Sequence, residues 1–258
     1  MKVEKTFTFS TSQEAWEGIN EYFLTEEEEI VERKGVRTGG QMISYDNILR
    51  ITRLEVDPTF DFNKHFNYKT NKWNSLVSNY VDLNYLDLVK AEVRKREVAK
   101  DTSYNISYIF SNAHGHGKGC LLSLTFTRRP YFPDPLLIVQ LRSSEIVKRL
   151  IFDFLLVQRI GEYVYGENTL MGGIFYLPNT YTMAEVSAVY DIYKPLKDIL
   201  YLDLTELKPF QKKVMDSLKK MTETDYKDIK YKIHLRSAKV LQGGTTGAPL
   251  LAGNLKLM

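Results

Sequence analysis

The feature that most constrains this chain is an acid set inside its most apolar helical pattern. In "VQLRSSEIVKRLIFDFLLVQRI", residues 139–160, a strand-like apolar run ends at Arg142, Ser143 and Ser144, and a helix is predicted over 145–165. Wound at about 100° per residue, Ile146, Val147, Leu150, Ile151, Phe154 and Val157 form a broad apolar stripe, with Lys148 and Arg159 on the opposite side. Asp153 falls about 20–40° from Ile146 and Val157 and about 120–140° from Lys148 and Arg159, so its carboxylate faces inward. There it is costly unless paired, hydrogen-bonded or protonated. Two readings satisfy it: a buried backbone donor or a neighbouring arginine such as Arg149, or a ligand that presents hydrogen-bond donors. Arg142 poses the same choice. A guanidinium, serine hydroxyls and helix N-terminal amides suit a phosphate or a carboxylate, and a surface pair with Glu145 accounts for the same spacing.

Around this stretch the patterning alternates between helical and strand periods. "TSQEAWEGINEYFL" reads as a helix capped by Thr11 or Ser12, with Trp16, Ile19 and Phe23 at helical spacing. The acidic run Glu26 to Glu29 reads as its solvated end. "GVRTGGQMISYDNILRI" is a glycine-rich turn leading into a strand, and residues 72–98 carry one long helical pattern that becomes strongly charged. "SYNISYIFSN" alternates as a strand. "CLLSLTFTRRP" and "PLLIVQLRSS" are two strands joined by the proline-rich "PYFPDP". A strand is predicted over 168–179, helices after it, and a last strand at "YKIHLRS". The expectation is an α+β single domain over 1–240, a mixed β-sheet packed by helices, with 241–258 a weakly patterned, flexible C-terminal tail.

Composition narrows the function classes. With 43% apolar and 26% charged residues among 258, a substantial core is affordable. A net charge of +3 does not point to nucleic acid; the basic runs "VKAEVRKREVAK" and "KKVMDSLKKM" alternate with acids and read as solvated helix faces. No apolar run has the length needed to cross a bilayer, and the N-terminus has no apolar signal segment. The single cysteine, Cys120, leaves a free thiol and suits a reducing, cytoplasmic setting. "HGHGKG" sets His114 and His116 in an H-x-H pair without an acidic or cysteine ligand at matching spacing, and reads as a turn rather than a metal site. Neither "RTGG" nor "GHGKG" has the spacing of a phosphate-binding P-loop.

Three segments in the right order resemble the thymidylate synthase and pyrimidine nucleotide hydroxymethylase superfamily. That family has an Arg-Ser-x-Asp strand end followed, eleven positions after the Arg, by an Asn in a helix. Here Arg142, Ser143, Ser144 and Glu145 stand in the motif and Asp153 lies eleven positions after Arg142. "LMGGIFYLPN" resembles the family's Gly-Gly strand, with Gly172 and Gly173, and has Tyr176 at the position of a His. "VRTGGQMISYDN" resembles its Arg-Thr-Gly loop and following strand. The resemblance implies a thymidylate synthase-like fold whose sheet forms a homodimer interface. Arg37, Arg142 and Ser143 would hold the 5′-phosphate of a pyrimidine nucleoside monophosphate, with Arg128 and Arg129 candidates to cross between subunits. Tyr176 would meet the sugar and Asp153 the base. An Asp there is the pattern of the cytidylate hydroxymethylases, and an ionised carboxylate accepts from the exocyclic amino group of cytosine.

In that family a cysteine thiolate adds to C6 of the ring and C5 attacks a methylene carried by 5,10-methylenetetrahydrofolate. Cys120 precedes Arg142 by 22 positions, near the family's separation, and Lys118 and Arg142 would lower its pKa. A second alignment makes "GKGCLLSLTFTRRP" the strand before the family's catalytic segment and Cys120 a core residue. The chain also departs from the family pattern. Asn79 stands near the place of a proton-handling Glu, Glu145 replaces the Asp, and the Gly-Tyr-x-Pro-His-Pro pattern near the C-terminus is absent. The resemblance therefore implies either a C5 hydroxymethylase or methylase acting on a cytidine monophosphate, or a non-catalytic nucleotide-binding or structural relative that has lost folate chemistry.

Overall fold

Thr6, Thr8 and Ser10 alternate with Phe7 and Phe9, and this period-two pattern forms the first strand, β1 (Lys5–Thr11), its phenylalanines turned inward. Thr11 ends the strand by accepting the Glu14 amide at 3.2 Å, while the Glu14 carboxylate accepts the Ser10 amide at 3.0 Å; this reciprocal cap starts α1 (Ser12–Thr25). The computed structural model describes residues 5–25, 29–31, 41–62, 72–111, 119–146, 149–183 and 250–257. Of the helix expected over 182–200, Thr182 and Met183 instead end a strand; the rest of it, the charged helix beyond it and the strand "YKIHLRS" lie outside the described residues, as do Arg37, His114, His116 and Lys118.

The other elements are β2 (Glu29–Val31), β3 (Gln41–Arg53), α2 (Lys72–Tyr80), α3 (Leu83–Val98), β4 (Tyr104–Ile109), β5 (Leu121–Arg128), β6 (Leu136–Leu141), β7 (Ser144–Glu145), α4 (Leu150–Tyr165) and β8 (Gly172–Met183). The sheet runs β1-β3-β8-β6-β5-β4, with β2 on β3 and β7 on β8. It is mixed: β1 with β3, β6 with β8 and β7 with β8 are parallel, the rest antiparallel. The chain is thus α+β, a mixed sheet packed by helices. The single long helix expected over 72–98 is two. Asp82 breaks the pattern by adopting an extended backbone and accepting the Tyr85 amide at 3.2 Å, which starts α3 anew.

One face of the sheet carries the core. Phe9, Leu49, Phe175, Leu137, Val139, Leu124 and Phe126 turn toward α1, α3 and α4. Phe154 of α4 meets Phe175 edge to face at 4.7 Å, and Tyr165 meets Phe126 at 5.8 Å. Every residue of α4 from Leu150 to Val157 is buried, Asp153 included. The helix is therefore central rather than one-sided, as an all-round apolar pattern requires. Arg159, expected on its solvent side, is instead half-buried, bonded to Glu162 at 2.6 Å and to the Ala252 carbonyl at 2.7 Å.

Residues 250–257 correct the expectation of a flexible tail. Ala252, Leu255 and Leu257 are buried, the Trp73 indole donates to the Lys256 carbonyl at 2.6 Å, and the Ala252 amide donates to Phe60 at 3.0 Å. Its backbone partners come from distant residues, which no local pattern records.

The tightest packing of α4 on the sheet is at Gly161, where a Cβ would stand 2.3 Å from the Met171 sulfur and 2.9 Å from Leu137 Cδ1. Alanine in a helix gains about 1 kcal/mol over glycine, but overpacking costs about 1–3 kcal/mol. Gly161→Ala is accordingly expected to lower unfolding free energy by up to about 2 kcal/mol in urea titrations; a stabilised variant would mean that the sulfur yields freely.

Candidate functional site

The β5–β6 hairpin decides which residues meet. Leu121 at the start of β5 pairs with Leu141 at the end of β6, and the Arg142 amide donates to the Cys120 carbonyl at 2.8 Å. Cys120 thus sits just before its strand, half-buried, not within it as a core residue. Its sulfur lies 4.0 Å from the Ser143 hydroxyl. The chain then turns into β7, which pairs Ser144 with Thr180 and Glu145 with Tyr181 of β8, and Arg149 leads into α4.

Ser144 links the hairpin to the acid. Its hydroxyl donates to Asp153 Oδ2 at 3.3 Å, and both residues are buried, Asp153 with 4% of its surface exposed. Burial pushes the Asp153 carboxyl up to about 7; the Arg149 charge and the Ser144 hydrogen bond pull it down, and the Glu145 charge pushes it up again. At neutral pH it therefore populates both forms, one that only accepts hydrogen bonds and one that also donates. The Cys120 thiol is raised, first by burial and then by the Asp153 charge, against the Ser143 hydrogen bond and the Arg149 and Arg142 charges. This corrects the expectation of a lowered thiol: Arg142 acts in the expected direction, but an exposed guanidinium is weaker than burial plus a buried carboxylate.

Tyr80, which the sequence reading passed over, closes the site. At the last position of α2, with 7% of its surface exposed, its hydroxyl accepts the Cys120 amide at 2.8 Å. Burial raises its phenol first, and the Asp153 and Cys120 charges add to that; hydrogen bonds from the Cys120 and Leu121 amides lower it. The neighbouring Asn79 is exposed and bonded within its own helix, to Ser75 at 3.5 Å. Helical periodicity held the signal: Tyr80 lies about 20° from Trp73, the buried anchor of α2, whereas Asn79 lies about 120° away from it.

The remaining expected residues divide by their end of the sheet. Arg142 is exposed beside the thiol segment. Glu145 is 3% exposed within the β7–β8 ladder. Arg128 and Arg129 lie at the far end of β5, about 26 Å or more along the strand from Cys120. Arg128 is held there by the Pro133 carbonyl at 2.6 Å and by Glu97 at 3.3 Å, and Arg129 lines a cleft with Arg50 and Phe132. Within one chain neither joins the site. Gly172 and Gly173 begin β8 at that same far end, opposite Leu136 and Leu137, and a Cβ on Gly173 would stand 2.7 Å from Leu54. They are packing glycines. Tyr176 alternates with Phe175, which faces α4, so it projects from the opposite side of the sheet to Asp153. No group of three or more potential metal ligands occurs among the described residues, and none of the described helices is long and apolar enough to cross a membrane.

Ser44, Asn47 and Thr180, buried near this end of the sheet, are bonded to one another. Asn47 donates to Thr180 at 2.7 Å and to Ser44 at 3.1 Å, and Thr180 donates to the Ser44 carbonyl at 3.0 Å. The end of α2, the β5–β6 hairpin and the start of α4 thus bring a thiol, a buried acid and a phenol together, with the charges of two arginines acting on them. No family model matches the chain, and no curated protein matches it.

The acid makes stability depend on pH. Its folded value near 7 stands above the ordinary carboxyl value, so between about 4 and 7 the native chain holds a proton that the unfolded chain has lost. This contribution is fully present at low pH and fades as pH rises toward 7. Asp153→Asn removes it. From pH 5 to pH 7 the wild type is expected to lose on the order of 2 kcal/mol relative to the variant in urea titrations. Parallel curves would show that the carboxyl does not titrate there. The same substitution removes a charge that raises the thiol, so alkylation of Cys120 by iodoacetamide at pH 8 should quicken about three- to tenfold.

Proposed function

We propose that this chain is a divergent relative of the thymidylate synthases and pyrimidine nucleotide hydroxymethylases, acting at C5 of a pyrimidine nucleoside monophosphate, with a cytidine nucleotide preferred. The observation that carries the reading is the hairpin contact that sets Cys120 against Ser143 while Ser144, one residue on, holds Asp153. Nucleophile, hydroxyl and acid then lie along one short path from Arg142 to the start of α4. The Arg142 guanidinium and the Ser143 hydroxyl receive the phosphate, joined by Arg37. The ionised Asp153 accepts from the amino group of cytosine.

The Cys120 thiolate adds to C6, and the electron pair of the C5–C6 double bond moves to C5 and into the ring at C4. A proton from solvent bonds to C5, the original C5 hydrogen leaves as a proton, and elimination of the thiolate restores the ring. In the family the carbon donor is methylenetetrahydrofolate. Its pterin contact corresponds to Glu145, whose side chain is buried in the β7–β8 ladder. The described residues therefore do not fit a pterin, and the chemistry assigned to the site ends at exchange of the C5 hydrogen.

A second reading, a nucleotide-binding protein without turnover, is favoured by the raised thiol. A homodimer is the expected assembly in both.

C5-tritiated cytidine and uridine monophosphates, in ribose and deoxyribose forms, separate the readings. Release of tritium from a cytidine nucleotide, lost in Cys120→Ala and shifted toward uridine in Asp153→Asn, is the expected result. Absence of release from every substrate removes the catalytic reading. Calorimetric binding abolished by Arg142→Ala would then support the second, and no binding at all would remove both.

A further inference from the structure

We propose that Tyr80 is a positioning residue for Cys120: its hydroxyl anchors the backbone from which the thiol projects and directs the phenolic proton toward the Cys120 and Asp153 pair. The proposal rests on reading Cys120 as the nucleophile. A phenolic oxygen has one proton to give and two lone pairs to receive with. Here a lone pair is taken by the Cys120 amide at 2.8 Å, which leaves the proton for a second partner. The anions whose charge reaches that oxygen are Asp153 and Cys120.

The ring has little freedom to do otherwise. It stands edge-on to Phe110 at 5.8 Å and 90°, and the Tyr80 carbonyl accepts the Tyr108 hydroxyl at 3.4 Å. These contacts fasten the end of α2 over the start of β5. The charged and titratable groups facing the thiol are Tyr80 from α2, Arg142 after β6, and Arg149 and Asp153 at the start of α4, with Glu145 acting on Asp153. Both arginines are exposed and screened by solvent. Tyr80 is the buried, uncharged hydroxyl of the set, and its proton, turned toward the pair, would stabilise a thiolate without adding a buried charge.

Tyr80→Phe keeps the ring and removes the oxygen. The pH profile of Cys120 alkylation by iodoacetamide, measured on the whole chain without nucleotide, is expected to move up by about half to one unit, slowing the reaction at pH 7.5 about three- to tenfold. Asn79→Ala, on the exposed side of the same helix, should leave the profile in place. A purely structural role for Tyr80 would lower the melting temperature without moving the profile, and that outcome overturns the proposal. Should the phenylalanine variant not fold, 3-fluorotyrosine placed at position 80 retains shape and oxygen while acidifying the phenol. The stronger donor should move the profile down, and an unmoved profile again overturns the proposal. Because no nucleotide enters the assay, a moved profile without C5 exchange upholds Tyr80 while removing the pyrimidine reading.

Discussion

Burying the Asp153 carboxyl is costly wherever partners are missing, and the elements around α4 are arranged so that partners are present. Ser144 can reach the acid because β7 is held on β8, through the pairs Ser144 with Thr180 and Glu145 with Tyr181. Arg149 acts on it from just before the first turn of the helix. Placement in that first turn adds the favourable end of the helix dipole. The same short connection from β6 to α4 carries Ser143, and the hairpin register then leaves Cys120 only one place to be. A single demand, satisfying one buried acid, thereby fixes the neighbours of the thiol.

The two ends of the sheet contrast in chemistry. At the far end Tyr104, Glu97, Arg128 and Tyr165 form a network in which the Tyr104 hydroxyl donates to Glu97 and meets the Tyr165 hydroxyl at 3.3 Å, and Glu97 pairs with Arg128. Burial drives both phenols up, Tyr165 to about 12, so they stay neutral donors at any physiological pH. That network fastens β4, β5 and α3 together and has no group poised to change charge. At the opposite end the acid near 7 is poised to do so, with the thiol next to it and a set of buried Asn, Ser and Thr side chains bonded to one another. A rigid polar backing is what holds a small reactive cluster in register.

Much of this end was legible because it is local. The inward direction of Asp153 follows from helical geometry alone, and the meeting of Cys120 with Arg142 follows from two apolar strands and a proline-rich turn. What escaped was non-local or rested on one residue. Asp82 divides a helical pattern that periodicity reads as continuous. The Thr and Phe alternation of β1 was present but short. Tyr80 and the packed segment at Ala252 owe their roles to partners some 40 and 90 positions away, such as Cys120 and Arg159. Arg128 and Arg129 looked basic and available in the sequence, yet strand length alone carries them away from the thiol.

The coupling between acid and thiol bears on which of the two functions the arrangement favours. In the resting chain the Cys120 thiol is raised above its ordinary value, which favours the protonated form. Two causes hold it there, burial and the Asp153 charge, and a ligand acts on them differently. A donor that hydrogen-bonds the carboxylate spreads its negative charge and weakens the repulsion felt by the sulfur, whereas an apolar occupant deepens burial and suppresses the thiolate further. A cytosine ring brings the donor, and a phosphate seated at Arg142 brings two negative charges that oppose it. The balance falls to how far the phosphate stands from the sulfur compared with the base. On the proposed reading, a pyrimidine mononucleotide stretched from Arg142 to Asp153 would keep its amino group on the acid and its phosphate at the exposed, solvent-screened end, an orientation in which binding itself would favour the thiolate.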